Sequence, residues 1–168
     1  MCGSRWLIDI STYLYKHIYM SSTPEHLGLL IKRLQYRHHR QLDEALTPLG
    51  ISLVQWNALR EIERNPGSSQ HRLAELTFNS DQAFGTLCNR LLQRGFIERK
   101  SGAGRAILHQ LTPLGKALHA QGEDIYAKVI AKAFAPLDPS EQSALTGLLV
   151  RLWSRDEYPA PRDPTRGK

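Results

Sequence analysis

The chain has 168 residues, enough for one domain with a proper core or for a smaller domain with arms. Its 22 Lys and Arg against 16 Asp and Glu leave a net charge of +6, which favours an anionic partner. Two cysteines, Cys2 and Cys88, supply no disulfide framework and fit a reducing cytoplasm, and no apolar run reaches the roughly 18–20 residues that span a bilayer.

The opening stretch, "MCGSRWLIDISTYLYKHIY", is not expected to be a signal peptide, because Asp9 and Lys16 interrupt its apolar run. Met20-Ser-Ser-Thr-Pro reads as a natural chain start, so residues 1–19 are expected outside the fold. Residues 26–47 carry Leu27, Leu30, Ile31, Leu34, Leu42 and Ala45 at the 3/4 spacing of an amphipathic helix, which Pro48 and Gly50 end. Ser52 caps a second helix over 52–64, closed by Asn65-Pro66-Gly67. Ser68 and Ser69 cap a short third helix, "QHRLAELT". Asn79-Ser80-Asp81 then opens a fourth, "QAFGTLCNRLLQRG", which stops at Gly95.

"FIERK" and "RAILHQL" are two short β-rich runs joined by Ser101-Gly102-Ala103-Gly104, which predicts a hairpin with a basic tip. The loop is no phosphate cradle, since no Lys-Ser/Thr pair follows Gly104. Thr112-Pro113 begins a long helix to about residue 135, with Leu114, Leu118, Ile125, Val129 and Ala133 as its stripe. Asp138-Pro139-Ser140-Glu141 begins a last one with Leu145, Leu148, Leu149 and Leu152. The tail "SRDEYPAPRDPTRGK" has three prolines and few apolar residues, and is expected to be disordered.

Helix, turn, helix and basic ribbon together predict a winged helix-turn-helix lobe in a mainly α fold with a small β-hairpin wing. In such a lobe the second helix enters the major groove; here it is residues 80–95. Phe84, Leu87, Cys88 and Leu91 share one face of that helix, and Gln82, Thr86, Asn89 and Gln93 share the other. Amides can pair bidentately with adenine, and threonine can meet a thymine methyl. Gly85, on the outward side, would admit the duplex closely. Arg90 and Arg94 suit phosphates, Arg99 and Lys100 lie on the wing, and Arg105 suits a narrow minor groove. Residues 80–111 hold five cations against two anions, whereas residues 112–154 hold four of each.

"QWNALREI", "HRLAELTFNSDQAFGTLCNRLLQRGFIERK" and "GRAILHQLTPLGKAL" resemble the multiple-antibiotic-resistance regulator (MarR) family of bacterial transcription factors, over roughly residues 26–154. The resemblance implies a homodimer binding a palindromic operator on double-stranded DNA, usually as a repressor relieved by a small, often aromatic, ligand or by oxidation. It implies this layout: 1–25 an N-terminal extension, 26–50 a first dimerisation helix, 51–111 the DNA-binding lobe, 112–154 the C-terminal dimerisation helices and 155–168 a tail. Ser80, Gln82, Thr86, Asn89 and Arg90 then fall on the recognition helix, and Arg105 on the wing arginine. Two departures stand out. The family wing often reads D-R-R, where this chain has Ala103 and Gly104 in the first two places, and Thr86 replaces a frequent basic residue. They motivate an alternative, a winged-helix protein–protein adaptor with weak operator binding.

His38 sits inside the apolar stripe of the first helix. It reads either as a core histidine or, with Arg40 and Trp56, as part of an effector pocket; Trp56 reads also as core. Cys88 reads as a buried small hydrophobe. No metal site or cofactor is expected, and no H-E-x-x-H, G-x-S-x-G or paired-carboxylate frame suggests catalysis.

Overall fold

The computed structural model describes residues 23–101 and 107–153; the expectations for residues 1–22, the hairpin tip with Arg105, and the tail lie outside them. The chain divides into two compact units, one up to Arg40 and one from Gln41 onward.

Among the described residues, the first unit holds the greater part of helix α1, Pro24–Leu46. Thr23 starts it by accepting the His26 N–H on its hydroxyl, at 3.2 Å. Pro24 follows at the first helical position, where its missing N–H costs nothing. Leu27, Leu29, Ile31, Leu34 and Tyr36 are exposed along it.

The second unit begins with the end of α1, where Leu42 and Leu46 enter the core, and continues through a 3-10 turn at Thr47–Leu49. Helix α2, Leu53–Arg64, opens on a full capping box between Ser52 and Gln55. Asp43 adds a second restraint, accepting the Leu53 N–H at 2.8 Å. Helix α3, Gln70–Leu76, is capped by Ser69, and helix α4, Asp81–Gln93, by Ser80. The expected helices and their caps are therefore present.

The two helices of the turn end alike. After α4, Phe96 donates to Leu91 and Gly95 to Leu92, with Gly95 in the left-handed region. After α3, Asn79 donates to Ala74 and Phe78 to Glu75. This is the same Schellman closure, but Phe78 takes the left-handed position at φ 55°. A phenylalanine there carries steric strain that glycine avoids.

Strands β1, Ile97–Ser101, and β2, Ile107–Leu111, pair antiparallel, with Ile97 opposite Leu111 and Arg99 opposite His109. Helix α5, Pro113–Phe134, follows from the Thr112 cap, and helix α6, Pro139–Trp153, from a reciprocal Asp138–Glu141 capping box. Leu118 of α5 reaches the core, but Leu114, expected on the same stripe, is 57% exposed. The first turn of α5 instead packs through backbone: a β-carbon on Gly115 would overlap the Phe96 carbonyl.

One apolar core joins α2, α3, α4, the wing base and α5, with Trp56, Phe84, Leu59, Leu73 and Leu91 at its centre. Helix α6 buries no residue; Leu148, Leu149, Val150, Leu152 and Trp153 are exposed on it.

Candidate nucleic-acid interface

Helix α4 is anchored as its pattern requires. Phe84, Leu87, Cys88 and Leu91 are buried, so the opposite face is turned outward, and Gln82, Thr86, Asn89, Arg90 and Gln93 are all exposed on it. Ser80 is exposed but its hydroxyl accepts the Ala83 N–H at 3.2 Å, which occupies one of its lone pairs as a helix cap. The Thr86 hydroxyl donates back to the Gln82 carbonyl at 3.0 Å, so it offers outward a methyl and acceptor lone pairs.

Three expected interface positions have neighbours within the fold that the sequence did not show. The space beside Gly85 is filled by Gln70 of α3, whose amide nitrogen lies 3.1 Å from where a β-carbon would stand. The glycine thus makes room for α3 against α4, and the expectation that it admits the duplex is corrected. Arg94 was expected on a phosphate; its guanidinium donates to the Gly50 carbonyl at 2.8 Å and lies 4.6 Å over the Phe96 ring. Arg99 donates to the Asn89 side-chain oxygen at 3.1 Å, and so folds over α4. Strand alternation explains this, since Arg99 shares its face with buried Ile97, while Glu98 and Lys100 take the other. Lys100 is exposed. Arg105 lies outside the described residues.

A contact that sequence reasoning missed links α3 to α4. His71 Nδ1 is 3.0 Å from the Asp81 carboxylate, and its Nε2 is 3.5 Å from Glu75. The hydrogen bond and charge of Asp81, with Glu75 behind them, raise the His71 pKa above its ordinary value. Burial pushes the Cys88 thiol up to about 11, against a smaller pull from Arg99, so it is no ready thiolate.

Of the expected effector residues, His38 and Arg40 belong to the first unit and Trp56 to the second. His38 is partly buried, and desolvation, aided by the Arg37 charge, lowers its pKa and favours the neutral ring. Arg40 is exposed. Trp56 is 0% exposed: its Nε1–H donates to the His119 carbonyl at 3.2 Å, Tyr126 stacks on it at 5.0 Å, and Arg60 covers it at 4.9 Å. No face of the indole is left for a ligand, so Trp56 is a core residue. Among the described residues no group of three His, Cys, Asp or Glu side chains is placed to hold a metal. No described helix is long and apolar enough to cross a membrane.

Residues 49–106 match the model of the MarR family. The chain is 29% identical over 130 residues to the HTH-type transcriptional repressor Rv2887 of Mycobacterium tuberculosis, covering 76% of this chain and 94% of that protein. The structure of Rv2887 in complex with DNA superposes with a TM-score of 0.64 at 27% identity, over 76% of this chain and 98% of the other. Rv2887 in complex with p-aminosalicylic acid gives 0.65 at 29%, over 76% and 98%. A mutant MarR from E. coli complexed with operator DNA gives 0.68 at 25%, over 75% and 92%. The matched lobe, the winged helix-turn-helix geometry and these relatives together show that this chain carries the DNA-binding fold of the MarR family of transcriptional regulators.

Proposed function

We propose that the protein is a cytoplasmic, homodimeric transcriptional repressor that binds a palindromic operator and is released from it by a small, aromatic acid. The observation that carries the reading is the outward face of α4. A row of uncharged hydrogen-bonding side chains, flanked by Arg90 and the basic wing, is presented by a helix whose other face is locked into the core. Such a face suits base readout, with cations supplying phosphate contacts. The relatives solved with DNA and with p-aminosalicylic acid support both the partner and the effector class. The exposed apolar rows on α1 and α6 supply surface for a second copy. Two such lobes on a two-fold axis would read half-sites about 34 Å apart. His38 and Arg40 are the proposed effector contacts on α1, the guanidinium answering a carboxylate.

The test is selection of bound fragments from the source genome, followed by footprinting and titration over a salt series. The expected result is a palindromic footprint near a promoter and an affinity falling steeply with salt as counterions are released. Equal affinity for every duplex, or a salt-independent response with tight binding to another protein, would defeat the proposal.

A further inference from the structure

Asn89 lies on the outward face of α4, and Arg99 reaches it from β1. The guanidinium donates to the amide oxygen of Asn89 at 3.1 Å. A guanidinium has five donors and no acceptor, so only the oxygen end of the amide can face it. Chemistry therefore fixes the amide orientation: the oxygen, with one of its two lone pairs engaged, is turned toward the wing, and the NH2 is the end Arg99 does not engage. Arg99 stands on the strand face shared with buried Ile97, directly opposite buried His109, and its charge reaches both neighbours: it opposes the burial that raises the Cys88 pKa and adds to the burial that lowers that of His109.

Reading an adenine with an amide requires both ends, the oxygen accepting from N6 and the NH2 donating to N7. Guanine presents O6 and N7, both acceptors, to the major groove. We propose that Arg99 is a positioning residue which holds the Asn89 oxygen toward the wing and its NH2 toward the groove, so that each lobe selects guanine over adenine at the base pair Asn89 meets. The inference rests on the reading of α4 as a major-groove helix and adds to it the base class and the residue that sets it.

The experiment is a base-by-base substitution of one half-site of the selected duplex, measured by competition at fixed salt with the full chain. Wild type is compared with Asn89→Ala, Asn89→Asp, Arg99→Met and Arg99→Lys, each checked by thermal melting. At the one pair whose discrimination disappears in Asn89→Ala, wild type is expected to favour guanine over adenine about tenfold. Asn89→Asp keeps the oxygen but loses the NH2, and loses the preference too. Arg99→Met frees the amide, and at that pair alone the preference narrows or turns toward adenine. Arg99→Lys, which keeps a donor, stays closer to wild type. A wild-type preference for adenine at that pair, or an equal loss at every pair in Arg99→Met, would overturn the inference while leaving a sequence-specific DNA binder. A wild type with no preferred duplex would overturn the proposed function as well.

Discussion

Arg90 and Arg94 lie four apart on one helix, yet the structure gives them different work. Arg90 is exposed beside the polar row, whereas Arg94 is engaged by the Gly50 carbonyl and the Phe96 ring. Arg90→Ala is expected to weaken binding evenly across sequences and to reduce the salt slope by about 1, as loss of one phosphate contact does. Arg94→Ala should leave the slope unchanged and instead lower thermal stability by about 1–3 kcal/mol, because a charge-assisted hydrogen bond is lost. A salt titration and a melting curve on each variant separate the two roles. Residue spacing alone could not make this distinction. The partner of Arg94 is 44 positions away, and nothing local marks Gly50 as its acceptor. The fold-back of Arg99 was legible in principle, since the period of two that buries Ile97 places Arg99 on the same side. The sealing of Trp56 was half legible. Its place on an apolar face suggested the core and Arg60 lies four residues on along the same helix, but the stack of His119 and Tyr126 depends on α5, whose His119 lies 63 residues further on.

Helices, caps and the hairpin could be read closely because each is set by neighbours in sequence: Ser52 with Gln55, Ser80 with Ala83, Asp138 with Glu141. How α3 meets α4 could not, and that junction carries a pH response. The His71 pKa is raised by Asp81 and Glu75. A raised folded-state value means that the contact contributes fully below the unfolded value of about 6.5 and fades as pH climbs through the folded one. The melting temperature of wild type minus that of His71→Gln should therefore be larger at pH 6 than at pH 8. A difference that is flat, or grows with pH, would show that the Asp81 pairing does not stabilise the turn. Leu114 marks another limit of periodicity. It sits one turn before Leu118 on a helical wheel, but α5 enters over the Phe96 backbone, so Gly115 takes the close contact and Leu114 faces solvent.

Among the described residues, the second unit has a continuous apolar core, while α1 and α6 carry exposed apolar side chains such as Leu27, Ile31, Leu148, Leu149 and Leu152. Covering Leu148, Leu149 and Leu152 with a second copy removes them from water, at roughly 25 cal/mol for each Å². The proposed dimer thus predicts a melting temperature that rises with protein concentration. Leu149→Asp combined with Leu152→Asp should give a monomer in sedimentation and a large loss of operator affinity, with helical content retained. A double variant that still sediments as a dimer would place the interface elsewhere.

The Thr112 side chain ends one segment and begins another. Its hydroxyl donates to the Gly95 carbonyl at 2.7 Å and accepts the Gly115 N–H at 3.1 Å, while its own N–H donates to Phe96. The trailing end of α4, the root of the wing and the leading end of α5 are thereby pinned at one point, with Gly115 pressed directly on the Phe96 backbone. Such a joint has no slack. If α4 is the groove-reading helix proposed above, a swivel of the 22-residue α5 would carry the last turn of α4 with it through this joint.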